Sequence, residues 1–379
     1  MDEPGRKEPH LGGNPYAYPS AERAAINAAS APAQADKHRY PVVFTASAGE
    51  YFRIWIVNLA LTILTLGIYS AWAKVRKKRY FYSHTRIDDD GFEYRGNPIA
   101  ILKGRIIAVV LFAIYSFAGH FSPTLKIVFA IVLAIAVPWL IVRSLAFNAY
   151  NSAYRNIRLH FSGTYLECFK VIVLYGLLTV ISLGLGYPYL KAQLIRFAAR
   201  NHHFGTTQFE IGKLTRSFYR TYLKAFGVLI LSFIVLGIAV AVFSLGAGIA
   251  GIGKRGAFSS SAGILFIVAV YGGYLLLFAY LRARITNLTF NAVTIGPVQF
   301  ESTLRARDLA GLYVVNIVAI IATLGLATPW AVVRTLRYRA GKTILLVAGG
   351  LDSFVAGETR QVAATGEAVG EMFDFDIGL

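Results

Sequence analysis

Four apolar runs, at residues 99–119, 125–142, 226–250 and 262–281, are long enough to cross a bilayer. A helix rising about 1.5 Å per residue needs about 20 apolar residues for about 30 Å of hydrocarbon. A short turn, 120–124, joins the first two runs. A Gly- and Ser-rich stretch containing Gly251, Gly253, Gly256 and Ser259 joins the second two. The pattern predicts helical hairpins over 99–142 and 226–281. Three further apolar segments, 51–73, 168–190 and 309–331, differ in kind.

These three are copies of one unit. One shift in register lays Phe44 on Phe161, Glu50 on Glu167, Gly67 on Gly184, Lys74 on Lys191 and Arg79 on Arg196. A second lays Asn58 on Asn316, Gly67 on Gly325, Trp72 on Trp330, Arg76 on Arg334 and Arg79 on Arg337. The copies fall near 42–98, 159–215 and 300–349. Each opens on an acid (Glu50, Glu167 or Asp308) that complements the positive end of a helix. An apolar run follows, then a hydroxyl, Leu and Gly: Thr65-Leu66-Gly67, Ser182-Leu183-Gly184 and Thr323-Leu324-Gly325. Pro188 and Pro329 come shortly after, then an aromatic residue (Trp72, Tyr189 or Trp330) and basic residues.

Gly and Pro so close together predict a helix break at membrane depth. A break there needs protein or water around it, as in the discontinuous helices of transporter sites. The candidates for a polar pathway are Asn58, Thr62, Thr65, Gly67, Ser182, Gly184, Pro188, Asn316, Thr323, Gly325 and Pro329. The plainer alternatives are close helix packing with a Pro kink, and hydroxyls bonded to their own helix. Trp72, Lys74, Arg76, Arg79, Lys191, Arg196, Trp330, Arg334 and Arg337 form the candidate membrane-surface set, an aromatic belt with cations for anionic phospholipid headgroups.

Charge placement contradicts simple spanning. Arg155 and Arg158 precede the second copy, and Lys191, Arg196 and Arg200 follow it. Arg305 and Arg307 precede the third, and Arg334, Arg337 and Arg339 follow it. Basic flanks stay cytoplasmic. Either the copies re-enter, turning at Leu-Gly, or all seven segments span and two basic loops break the rule.

Composition narrows the class. Of 379 residues, 56% are hydrophobic and 15% charged, and the mean hydropathy is +0.53. This excludes a soluble enzyme, a disordered chain and a coiled coil. Lys and Arg number 38 against 20 Asp and Glu. Because Lys74–Arg79, Arg282, Arg284 and Arg334–Arg339 directly follow apolar runs, the excess points to lipid headgroups and not to nucleic acid. The lone Cys168 permits no intramolecular disulfide and reads as a packed thiol.

Residues 1–41 read as a disordered N-terminal tail without a signal-peptide core. Residues 350–379 read as an acidic C-terminal tail, although 372–377 alternate like a strand able to add to a sheet edge. Turn signals at 85–94, 157–163, 204–211 and 288–300 predict short β-hairpins on the cytoplasmic side. His202-His203 has no further ligand at metal spacing, and Asp88-Asp89-Asp90 reads as a turn, so neither a metal nor a cofactor is expected. There is no phosphate loop, dinucleotide fingerprint or nucleophile elbow, and no enzyme is expected.

The run from Val57-Asn58-Leu59 through Thr65-Leu66-Gly67-Ile68-Tyr69-Ser70-Ala71-Trp72-Ala73-Lys74-Val75-Arg76 resembles the YjgN family of bacterial inner-membrane proteins. So do Arg79-Tyr80-Phe81-Tyr82, Phe92-Glu93-Tyr94-Arg95-Gly96 and the ending Phe373-Asp374-Phe375-Asp376-Ile377-Gly378-Leu379. The resemblance covers about residues 42–379. It implies a multi-pass inner-membrane protein of unknown function and carries over no catalytic residues. The expected fold is therefore all-α: a multi-pass helical bundle over 42–349 with internal pseudo-repeats and small cytoplasmic β-hairpins. The expected function is a transporter or channel-like protein with broken helices lining a polar pathway. The alternative is a non-enzymatic scaffold that binds anionic lipid or a protein partner through its basic face.

Overall fold

The computed structural model describes residues 37–249 and 255–364. Its centre is a closed ring of ten antiparallel strands. This overturns the expected all-α multi-pass bundle. The strands are β1 (Lys37–Phe44), β2 (Thr85–Ile87), β3 (Asp90–Tyr94), β4 (Ser152–Tyr154), β5 (Ile157–Phe161), β6 (His202–Phe204), β7 (Thr207–Ile211), β8 (Val293–Ile295), β9 (Val298–Ser302) and β10 (Thr343–Ala348). Each pairs with its sequence neighbours, and β10 closes on β1 with Lys37 opposite Ala348. Closure leaves no strand edge exposed.

Five of the connections are helical. α1 (Ala48–Leu64) and α2 (Ser70–Ser83) join β1 to β2, and α3 (Pro98–Phe121) and α4 (Pro123–Tyr150) join β3 to β4. α5 (Tyr165–Phe169), a π-type turn (Lys170–Leu174), α6 (Tyr175–Ile181) and α7 (Tyr187–Arg200) join β5 to β6. α8 (Thr215–Ile249) and α9 (Arg255–Phe290) join β7 to β8, and α10 (Ala306–Ala322) and α11 (Thr328–Ala340) join β9 to β10. In an antiparallel ring all five excursions leave and return at one rim. The tight hairpin turns lie at the other, beside the last helix, α12 (Leu351–Ala364). Both ends of each repeated segment thus meet the same rim, and their basic flanks lie on the barrel side of the helices, Arg155 at its far end, which removes the charge conflict.

Local chemistry sets these elements. Asp88 and Asp89 (φ 51 and 62) and Arg155 and Asn156 (φ 48 and 65) place two left-handed residues in each of two hairpin turns, the geometry that matches strand twist. The turn thus precedes the Asp-Gly pair. Gly91 lies inside β3, where a Cβ would come 2.7 Å from the Ser83 carbonyl oxygen. Asn97 and Ser122 cap α3 and α4 by accepting from the Ile99 and Thr124 amides, each with Pro at the first turn. The acids that open the repeated segments are bound by the returning limb. Tyr80 donates to Glu50 at 2.9 Å, Asn201 to Glu167 at 3.2 Å and Tyr338 to Asp308 at 3.3 Å.

The lumen is packed with Ile87, Tyr154, Ile157, Phe204, Val298 and Val347, and Leu351 and Val355 of α12 close it at the far rim. Each such side chain contributes roughly 1.5–3 kcal/mol by leaving water. At the helical rim the limbs pack side by side into a ring, which α11 closes against α1. Their flanks remain apolar and exposed. Among the described residues three helices are long and apolar enough to cross a membrane: Pro98–Phe121, Pro123–Tyr150 and Thr215–Ala239. With 17 residues, α1 reaches about 25 Å, short of a span.

Sequence boundaries shift accordingly. β1 begins at Lys37, within the stretch read as an N-terminal tail. Residues 351–364 of the acidic stretch form α12, not a tail. The linker read as loop is helical from Arg255. Residues 1–36, 250–254 and 365–379, with the strand-like ending, lie outside the described residues.

Candidate functional site

The three Leu-Gly turns share one backbone path. Leu66, Leu183 and Leu324 have φ of 50, 51 and 51°, followed by Gly67, Gly184 and Gly325 at 93, 90 and 94°. The preceding hydroxyl serves both limbs. Thr65 donates to the Leu61 carbonyl at 2.7 Å and accepts from the Tyr69 amide at 2.9 Å. Ser182 and Thr323 repeat this toward the Gly186 and Ala327 amides, at 2.8 and 2.9 Å. Pro188 and Pro329 sit in the first turn of the returning helix, where no amide donor is needed. The break is therefore a self-satisfied turn. A Cβ at any of the three glycines would meet open space, and the three leucines are 94, 94 and 95% exposed.

Asn58 and Asn316 are buried between limbs. Asn316 donates to the Ala331 carbonyl at 3.3 Å and to Thr335 at 3.0 Å, tying α10 to α11. Both Oδ1 atoms lack a partner among the described residues. The membrane-surface set is dispersed. Arg76 and Arg79 are exposed, Lys191 is half-buried, and Trp72 stacks on Tyr69. Arg337 donates to the Ala46 carbonyl at 2.8 Å, while Arg334 lies over Trp330 at 5.0 Å. Arg196 Nε and Arg334 Nη1 are buried without a partner among the described residues.

The structure instead brings cations together in a cleft of about 250 Å³ between α2, α3 and α4. Lys74, Arg105 and Arg143 line it with Ser144, Asn148 and Trp139, and no carboxylate is among its lining residues. Arg105 donates to Ser70, and Arg143 lies 5.8 Å from the Trp139 ring. Lys78, half-buried one helical turn after Lys74, donates to the lining residue Asn148 at Oδ1 and sits 4.4 Å over the Tyr94 ring. Burial, and next the charge of Lys74, lower the Lys78 pKa to about 8. Asn148 also lines a second cavity, of about 350 Å³, inside the barrel mouth. Arg105 lies within an apolar run and Arg143 directly after one, and the sequence reading passed over both. The available signal was an arginine near the start of one membrane-length apolar run and another at the end of the next, on two helices joined by a short turn.

At the far rim the charges are matched. Arg155 donates to Asp88, Asp90 and Asp352 at 3.0, 2.5 and 2.5 Å. Glu358 is 3% exposed. It accepts from the Thr206 amide at 2.9 Å, the Thr206 hydroxyl at 3.1 Å, the Thr207 amide at 3.3 Å and the Thr207 hydroxyl. His202 and His203 belong to β6, and His202 packs on Phe161. Burial lowers the His203 pKa. Among the described residues no three His, Cys, Asp or Glu side chains gather as metal ligands.

A packed strand ring bearing apolar helical hairpins on one rim, with an uncompensated cationic cleft between them, defines a barrel-centred protein with a lipid-compatible helical crown. The chain belongs to the family described as bacterial protein of unknown function (DUF898), whose model matches residues 39–372. It is 26% identical to the inner membrane protein YjgN of Salmonella typhimurium over 366 residues, 84% of this chain and 91% of that relative. It is also 26% identical over 150 residues to the inner membrane protein YjgN of Escherichia coli O157:H7, covering 39% and 38% of the two chains. No solved structure matches.

Proposed function

We propose that this chain is a non-enzymatic protein of the bacterial inner membrane that binds the phosphate of an anionic phospholipid in the cleft between α2, α3 and α4. The observation that carries this reading is the convergence of Lys74, Arg105 and Arg143 on one cleft without a lining carboxylate. Uncompensated cations at an apolar surface are costly unless an anion joins them. The names of the relatives support the inner-membrane setting. The exposed leucines at the three turn tips suit hydrocarbon. Basic residues gathered toward the barrel end of the limbs support a barrel on the cytoplasmic side.

A polar transport pathway through the helix breaks draws less support. The glycines face open space, and the hydroxyls are spent on their own turns.

The test is lipid retention measured by native mass spectrometry after release from vesicles of equal phosphatidylglycerol and phosphatidylcholine. The wild-type chain is expected to retain phosphatidylglycerol in about tenfold excess. The Arg105→Gln/Arg143→Gln variant loses that excess, and Arg76→Gln/Arg79→Gln keeps it. Equal retention of the two lipids by the wild type would sink the reading.

A further inference from the structure

The barrel mouth holds a cavity of about 450 Å³. Its walls are apolar, with Phe44, Phe81, Phe92, Phe290, Phe300 and Leu345 contributed by strands and by the helix ends above them. One charged side chain lines it, Arg339 of α11. No carboxylate is among the chamber's lining residues. The groups Arg339 senses are a second cation, Arg282 of α9, and Tyr313 of α10. Burial and Arg282 together hold its pKa below the ordinary guanidinium value. The nearby acid of α10, Asp308, is engaged by Tyr338 and Arg307.

A single guanidinium, Arg339, with no carboxylate lining the same wall, at the edge of an apolar chamber complements a hydrocarbon chain ending in an anion. Taking about 30 Å³ per water-sized group, the chamber holds on the order of fifteen methylenes, one chain and not two. We propose that the barrel mouth binds a single-chain anionic amphiphile, its chain in the aromatic chamber and its carboxylate or phosphate on Arg339. This site is distinct from the headgroup cleft. Its cation, Arg339, comes from α11, on a different part of the helical ring, and the site stands whether or not the cleft binds lipid.

The experiment uses the full chain in phosphatidylcholine nanodiscs with radiolabelled palmitate and, separately, radiolabelled palmitoyl-lysophosphatidylglycerol. Saturable binding of about one equivalent is expected for at least one probe. Palmitate alone assigns a carboxylate head, and the lysolipid alone a phosphate head. Arg339→Gln weakens binding at least tenfold, and uncharged hexadecanol competes at least tenfold less well than palmitate. Ala340→Trp and, from the facing helix, Thr286→Trp each fill the chamber and abolish binding, with folding checked by the thermal transition. Arg105→Gln/Arg143→Gln leaves binding unchanged, so failure of this site and failure of the cleft show separately. The proposal is overturned if neither probe saturates, if hexadecanol competes as well as palmitate, or if Arg339→Gln binds like the wild type.

Discussion

Glu358 is the residue whose loss has the best-defined consequence. It is 3% exposed, and its carboxylate takes four donors from the β6–β7 turn, two of them backbone amides. In Glu358→Ala the two hydroxyls can turn to other acceptors. The amides of Thr206 and Thr207 lose a charged acceptor, and a hydrogen bond to a charged group contributes about 1.5–3 kcal/mol. Lost van der Waals contact adds to this, so docking of α12 should weaken by about 3 kcal/mol, close to two decades in its opening equilibrium. Hydrogen–deuterium exchange reads that equilibrium directly. Amides of α12 and of the β6–β7 turn should lose roughly 100-fold protection, while β2, β3 and β9 change little. Protection in α12 within threefold of the wild type would refute the assignment of Glu358 as its latch.

Further expectations follow from the same geometry. Gly205 has φ +55, and a Cβ there would come 2.6 Å from Glu358 Oε2. Gly205→Ala should therefore cost about 1–3 kcal/mol in thermal or denaturant unfolding and release α12 first. Thr65→Val removes the hydroxyl that serves both limbs of its turn, for a loss of about 1–3 kcal/mol with phosphatidylglycerol retention unchanged. Lys78 has a folded pKa of about 8 against the ordinary 10.5. Between these values the unfolded chain holds the extra proton, so stability should rise with pH from about 8 to about 10.5 and stay flat below. Lys78→Gln should flatten that rise.

The hairpins near 85–94, 204–211 and 288–300 were legible because Asp88-Asp89, Gly205 and Gly296 hold left-handed backbone in their turns. The turn at Arg155-Asn156 was not, and the hairpin expected at 157–163 is β5 alone, the second strand of a hairpin that begins at Ser152. Closure of the strands into a barrel was not legible either. Most strands hold three or five residues, and excursions with helices of up to 36 residues separate partners along the chain. Pairing such as Phe209 with Ile295 leaves no mark within either segment. The apolar excess in the helices also drowned the strand signal, and the chain read as all-helical. Lys74 was visible beside an apolar run, whereas Arg105 and Arg143 were hidden by the hydropathy of their neighbours. Leu351, Phe354, Val355 and Glu358 share one helical face, yet the acidic character of the last residues led the segment to be read as a tail.

Every helical excursion leaves and re-enters one rim of the barrel, and the proposed inner-membrane setting puts the opposite rim in the cytoplasm. Thiol labelling in intact and in permeabilised cells tests it most directly. With Cys168 replaced by Ser, single cysteines are placed at Ser122 between α3 and α4, at Leu183 on a re-entrant tip and at Arg360 on α12. Labelling of position 122 in intact cells, of 360 only after permeabilisation, and of 183 in neither is the expected result. Labelling of 183 from outside, or of 360 in intact cells, would contradict the one-sided barrel.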